Sequence, residues 1–193
     1  VPSALYMMKA QSLVRALVKS GNLNTAEVMR QVNNSLCEGN DAGMFVTIYL
    51  GIIDLRSGVI TCSNAGHDFP IIYANGKAKF LENKKTIVCG AFENINFPVI
   101  EYQLEPGNII FLYTDGVTEA QNKNEELFGM NRLLETVNNS KFDSVREMCE
   151  DVKINVDKTI IIPVQKLVFH KLFANLNLFI ETIAVEKING TTK

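Results

Sequence analysis

Ile109-Ile110-Phe111-Leu112-Tyr113-Thr114-Asp115-Gly116-Val117-Thr118-Glu119 is the stretch on which the fold turns. Its first five residues are apolar or aromatic and follow the turn pair Pro106-Gly107, the pattern of a short strand buried on both faces. The strand runs into an acid. A carboxylate at the end of a buried strand, with a glycine behind it to let the backbone turn, is held on a rigid element and faces a loop region. Oxygen ligands for hard cations such as Mg²⁺ or Mn²⁺ are presented in this way. Asp-Gly after a strand is also a common plain turn, so Asp115 needs support from the rest of the chain.

Upstream of this strand the pattern is antiparallel. Ile100 to Leu104 alternates in and out and leads through Pro106-Gly107 to Ile109. Ile71-Ile72-Tyr73 and Lys77 to Leu81 flank Asn75-Gly76, the favoured type I′ hairpin pair. Met44 to Ile53 and Val59 to Ser63 are β-branched, aromatic or apolar and are joined by the turn Asp54-Leu55-Arg56-Ser57-Gly58. The middle of the chain therefore reads as a meander. Between two of its strands, Asn64-Ala65-Gly66-His67-Asp68-Phe69-Pro70 carries one of the 2 histidines. An imidazole titrates near neutrality, so His67 beside Asp68 can serve as a general acid or base. Neighbours on an extended chain point to opposite sides, which favours a hydrogen-bonded loop histidine.

Helical patterns flank the strands. Pro2 suits a first helical turn and Gly21 a stop, with Leu5, Met8, Leu13, Leu17 and Val18 between them forming a largely buried helix. Asn24 with Glu27 has the form of a capping box, followed by Val28, Val32 and Leu36 on one face; Asn33-Asn34-Ser35 reads as a solvated face. Phe128, Leu133, Leu134 and Val137 predict a short helix, and Ser144-x-x-Glu147 caps another in which Val145, Met148, Val152 and Val156 share a face. No acid lies between Asp157 and Glu181, where Phe169, Leu172, Phe173 and Leu176 fall at helical spacing with Lys158, Lys166 and Lys171 as the charges. A helix packed on the core fits that stretch, as does a partner-binding or membrane-surface helix. Ile180 to Ile188 returns as a final strand. Helices, then strands, then helices predict an α+β layered domain, with residues 1–193 forming one unit.

Composition bounds the function. A chain of 193 residues, 47% hydrophobic and 21% charged, suits one globular domain with a substantial core. A formal net charge of -2 gives no basic field for nucleic acid. No run approaches the roughly eighteen apolar residues of a membrane span, and no signal-peptide order opens the chain. Cys37, Cys62, Cys89 and Cys149 form no C-x-x-C pair, which argues against zinc and against a disulfide framework. A reducing cytoplasmic setting is expected. Val1 stands at what reads as a first helical turn, so an upstream part is expected as well.

Met44-Phe45-Val46-Thr47, Asn64-Ala65-Gly66-His67, Leu104-x-Pro106-Gly107-Asn108, Leu112-Tyr113-Thr114-Asp115-Gly116-Val117-Thr118-Glu119-Ala120 and Phe128-Gly129 stand in an order and spacing that resembles a known family. It is the SpoIIE-like (RsbU-like) branch of the metal-dependent PPM, or type-2C, protein phosphatases. Val1-Pro2-Ser3-Ala4-Leu5-Tyr6-Met7 also resembles the start of that family's first long helix, and the similarity runs to about Thr159. The resemblance implies two antiparallel sheets between helices. It implies hydrolysis of phosphoserine or phosphothreonine in a regulatory protein, often an anti-anti-sigma factor of bacterial stress and sporulation pathways. It further implies two Mn²⁺ or Mg²⁺ ions held by aspartates, with Asp115 as one metal ligand, Gly116 allowing the turn behind it, and Thr114 and Glu119 as supporting neighbours.

The chain also departs from the family's pattern. The family's Gly-Gly-Asp and Gly-Asp-x-Ser-Gly segments precede the helix that begins here at Pro2. Where the family has Asp-Asp-Ile-Thr before its final strand, this chain reads Leu178-Phe179-Ile180-Glu181-Thr182-Ile183-Ala184-Val185, leaving Glu181 as the nearby carboxylate and the 160–193 segment divergent. One carboxylate does not hold two ions. The expectation is a phosphatase-derived chain that is weakly active or inactive by itself, against a non-catalytic module that binds a signalling partner. Sheet edges left open by missing strands predict self-association, and a homodimer is compatible with the sequence.

Overall fold

A computed structural model describes residues 2–21, 23–81, 84, 86–159 and 178–187. Among them the chain forms five helices and seven strands, arranged as an antiparallel four-stranded sheet, an antiparallel three-stranded sheet and their helices. The α+β expectation holds. The elements divide between two compact units.

The first unit holds α1 (Pro2–Lys19), α2 (Thr25–Cys37), β1 (Met44–Ile53), β2 (Val59–Ala65), β5 (Ile100–Gln103) and β7 (Leu178–Lys187), with strand order β5-β2-β1-β7. β1 and β2 make the expected hairpin, pairing Leu50 with Ser63 and Ile53 with Ile60. Asp54 shapes its turn by accepting from the Arg56 and Ser57 amides at 2.8 and 3.3 Å. The returning strand β7 pairs antiparallel along the whole of β1, from Met44↔Lys187 to Ile53↔Leu178. Val46, Ile48 and Leu50 of β1 pack with Val28, Met29, Val32 and Leu36 of α2 and with Ala10 and Val14 of α1. Burying an apolar side chain of this size contributes roughly 1.5–3 kcal/mol, so this cluster is the main stabilising feature of the unit.

α2 starts as its sequence dictates. Asn24 Oδ1 accepts from the Glu27 amide at 2.9 Å, but the Glu27 carboxylate turns to Arg30 and Gln31 and does not return to the cap. Two expectations for this unit fail. α1 is not largely buried, because Leu5 and Met8 are 62% and 59% exposed. The stripe Tyr6, Ala10, Leu13, Val14 and Leu17 faces the core, and at about 100° per residue Leu5 lies opposite Val14. Nor is Asn33-Asn34-Ser35 a solvated face. Asn33 is fully buried, donating from Nδ2 to the Phe92 carbonyl at 2.8 Å and accepting at Oδ1 from the Gly90 amide at 2.9 Å.

The second unit holds β3 (Ile71–Ala74), β4 (Lys77–Phe80), β6 (Ile109–Phe111), α3 (Asp115–Thr118), α4 (Gly129–Asn139) and α5 (Val145–Thr159), with strand order β4-β3-β6. Asn75 and Gly76 both take positive φ, 52° and 74°, as a type I′ turn requires. Asn138 of α4 answers the edge strand β4 with its amide, accepting from the Ala78 N–H at 2.8 Å and donating to the Ala78 carbonyl at 3.2 Å. Ile71, Phe111, Val117, Phe128, Leu133, Val137, Met148, Val152 and Val156 form the core. Ser144 Oγ caps α5 by accepting from the Glu147 amide at 3.3 Å. Val145, expected on the buried face of α5, is 53% exposed because it precedes the turn that meets the core.

The strand leading to Asp115 departs from its expected form. β6 has three residues, not five, and lies at one edge of its sheet; Ile109 and Ile110 are half-buried and Phe111 is buried. The expected meander is also two ladders: β5 pairs with β2 while β6, just past Pro106-Gly107, pairs with β3. The helix expected around Phe169 to Leu176, with Lys166 and Lys171, lies outside the described residues.

Candidate functional site

Asp115 is the first residue of α3, not the last of a strand. Thr114 holds the N-cap position in an extended conformation without a side-chain cap bond. The Asp115 carboxylate is half-exposed, and its Oδ1 accepts from the Gly116 amide at 2.7 Å. Two contacts fix the short helix: Val117 is buried in the core, and the Glu119 amide donates to the Asp115 carbonyl at 2.7 Å. Phe128 N–H donates to the Ala120 carbonyl at 2.7 Å and brings the start of α4 alongside. Asp115 is thus a carboxylate on an anchored backbone.

Gly116 has a different role from the one expected. It sits inside α3 and is not among the glycines of positive φ, and a Cβ there would meet only Thr114 Oγ1 at an ordinary 3.5 Å. No left-handed turn is made behind the acid. Thr114 is half-buried and Glu119 is exposed at the C-cap of α3. Glu181 lies in β7, where its backbone is paired opposite Leu50, and so belongs to the unit that does not contain Asp115.

The His67 loop is built for structure. The Asn64 side chain brackets it, with Oδ1 accepting from the His67 N–H at 2.8 Å and Nδ2 donating to the His67 carbonyl at 2.9 Å. The imidazole is buried, its Nδ1 3.0 Å from Thr47 Oγ1. Gly66 bends the chain at φ 70°, where a Cβ would stand 2.7 Å from Val88 Cγ1, so that position needs glycine. Asp68 falls in the second unit, and its charge reaches Tyr113, two residues before Asp115. Burial first, and the Asp68 carboxylate second, push the Tyr113 hydroxyl well above the usual phenol range. This proximity of Asp68 to Tyr113 carries no sequence signal, because the two residues are far apart along the chain.

Among the described residues, no three His, Cys, Asp or Glu side chains gather where they could hold an ion. Asp115 can supply one oxygen ligand; the described residues by themselves do not fit a two-ion centre, since each hard cation takes about six oxygens. No described helix is long and apolar enough to cross a membrane.

Comparison with known proteins gives a consistent picture. The family model described as Stage II sporulation protein E (SpoIIE) matches residues 1–161. Protein IcfG of Synechocystis sp. is 33% identical over 117 residues, 60% of this chain and 18% of that protein. Phosphoserine phosphatase RsbU of Bacillus subtilis is 26% identical over 125 residues, 64% of this chain and 37% of that protein. The chain therefore spans well under half the length of either relative. The crystal structure of the RsbU and RsbW domains of Rv1364c from Mycobacterium tuberculosis superposes with a TM-score of 0.70 at 19% identity, covering 95% of this chain and 48% of that one. At that identity the likeness establishes the fold.

Proposed function

The chain belongs to the SpoIIE family, and from that premise we propose that it derives from a cytoplasmic, metal-dependent phosphatase acting on phosphoserine or phosphothreonine in a bacterial signalling regulator of the anti-anti-sigma type. The observation that carries this reading is Asp115. It stands in the Thr-Asp-Gly motif inside the matched residues and is held half-exposed on an anchored helix. The phosphoserine phosphatase activity in the name of RsbU supports the choice of substrate.

Mn²⁺ or Mg²⁺, when bound, supplies an activated water and neutralises charge on the phosphoryl oxygens. What this chain's residues contribute is positional. The buried Val117 fixes α3, the Gly116 amide orients one carboxylate oxygen, and the other oxygen is left for an ion. Glu181 is the lesser candidate ligand. Since Asp115 has no described carboxylate cluster around it, the 193-residue chain by itself turns over slowly or not at all. That same observation favours the second reading, a phosphatase-like module that binds its phosphorylated partner without hydrolysing it.

The test is phosphate release from a phosphoserine peptide with and without Mn²⁺, comparing the chain with Asp115→Ala. Slow, manganese-dependent release that falls at least about tenfold on substitution, about 1.4 kcal/mol in the barrier, is the expected result. Release that ignores either manganese or the substitution refutes the proposal. Saturable binding of the phosphopeptide without any release selects the second reading.

A further inference from the structure

We propose that Asn75-Gly76 is a site of spontaneous backbone modification, where the Asn75 amide is converted to aspartate and isoaspartate, and that the isoaspartate form loosens the β3–β4 edge of the unit that carries Asp115. The Gly76 nitrogen, having given its proton to hydroxide, attacks Asn75 Cγ. The Cγ–Nδ2 bond breaks, ammonia leaves with a proton from water, and a five-membered succinimide remains. Water then opens the ring at either of two bonds. Cleavage between the Gly76 nitrogen and Cγ gives aspartate. Cleavage between that nitrogen and the Asn75 main-chain carbonyl carbon gives isoaspartate, in which the chain runs through Cγ and is one atom longer. Water and hydroxide are the co-reactants. Glycine favours this attack, because it has no Cβ to block the approach or to restrict its backbone, and among the described residues no other asparagine precedes a glycine.

The fold leaves this pair open. Both residues are exposed at the tip of the β3–β4 hairpin, and a Cβ on Gly76 would meet nothing within 4 Å. Among the described residues, neither the Asn75 side chain nor the Gly76 N–H makes a hydrogen bond. Other asparagine amides are held: Asn64 brackets His67, Asn33 joins Gly90 to Phe92, and Asn138 grips Ala78. Attack requires the left-handed turn, φ 52° and 74°, to open for a moment, and an exposed tip without side-chain contacts opens at low cost. The extra atom of isoaspartate then falls in the turn that sets the pairing of Ala74 with Lys77 and of Tyr73 with Ala78. A two-residue turn has no slack. Ala78 is buried, and Asn138 of α4 accepts from its N–H at 2.8 Å and donates to its carbonyl at 3.2 Å. A change of register at the turn breaks that grip.

The test incubates the 193-residue chain at neutral and at mildly alkaline pH, digests it with trypsin and reads the peptide Ser57–Lys77 by mass spectrometry. Electron-transfer fragmentation tells isoaspartate from aspartate. Trypsin cuts after Arg56 and Lys77, so this peptide is separate from the chain's other Asn-Gly pair, Asn189-Gly190. The expected result is the mass gain of an amide turned to an acid, placed at Asn75 and not at Asn64, and growing in proportion to hydroxide. Gly76→Ala slows it at least about tenfold. The isoaspartate fraction, separated by ion exchange, melts at least about 2 °C below the untreated chain. Asn75→Asp, which adds the charge without lengthening the chain, melts within about 1 °C of it. No gain at Asn75 under conditions that convert the same tryptic peptide incubated free, a rate unchanged in Gly76→Ala, or an isoaspartate fraction that melts with the untreated chain overturns the proposal.

Discussion

Replacing Asn33 by alanine tests how this protein uses a buried polar side chain. The amide is fully buried on α2 and joins two backbone groups of the 90–92 segment: it accepts from the Gly90 N–H at 2.9 Å and donates to the Phe92 carbonyl at 2.8 Å. Alanine leaves both without their partner. A buried group stripped of its hydrogen bond costs about 1–3 kcal/mol. Gly90 N–H is enclosed and bears the full cost; the Phe92 carbonyl lies beside an exposed side chain and is partly rehydrated. The expected loss is therefore about 2–3 kcal/mol, against a few tenths for a truly solvated asparagine. Asn33→Asp keeps the acceptor for Gly90 but loses the donor for Phe92 and buries a charge, so it destabilises at least as much at neutral pH. Urea denaturation followed by circular dichroism reads both variants. A loss below about 0.5 kcal/mol for Asn33→Ala would show that the amide is not a clamp, and the reasoning from its hydrogen bonds would be wrong.

Further expectations concern pH and packing. The Arg30 side chain first, and Gln31 second, pull the Glu27 carboxyl down to about 2; the stability this contributes is complete above pH 4.5 and is lost as pH falls toward 2, so Glu27→Gln flattens the acid limb of a pH–stability curve. Burial pushes the Tyr6 hydroxyl up to about 12, so its contribution is complete below pH 10 and lost as pH rises from 10 to 12. Tyr6→Phe removes the 3.1 Å bond to the Leu36 carbonyl, costs about 1 kcal/mol at neutral pH and abolishes that alkaline loss in a thermal melt series. Gly66→Ala forces a positive φ on alanine and sets its Cβ 2.7 Å from Val88 Cγ1, an expected loss of about 2 kcal/mol or more by urea titration. Asp115→Ala, by contrast, leaves the melting temperature within about 1 °C, since among the described residues the carboxylate bonds only its neighbour's amide.

Local chemistry was legible in the sequence. Asn75-Gly76 favours the turn it makes, Asn24 favours the cap of the helix that starts at Thr25, and Met148, Val152 and Val156 share the face that meets the core. These signals act within about four residues, which is the reach of backbone sterics and helical spacing. Asp115 was legible for the same reason, as part of a contiguous motif. Asn33 was not: its partners lie 57 and 59 positions away, and nothing next to it distinguishes a buried clamp from a wet face. Leu5 and Met8 fit an apolar helix equally well inside or outside.

Periodicity thus settles which residues of an element share a side, and the sequence alone pointed to α1, α2, α4, α5 and the two hairpins and proposed Asp115 as the candidate acid. Only tertiary structure decided which side is covered and which strand each strand meets. It put β6 at an edge beside β3, enclosed Asn33, and set Asp115 on a helix without two more carboxylates gathered around it among the described residues. The physical reason is that burial and ion binding depend on groups converging from distant parts of the chain, whereas propensity is written in neighbours.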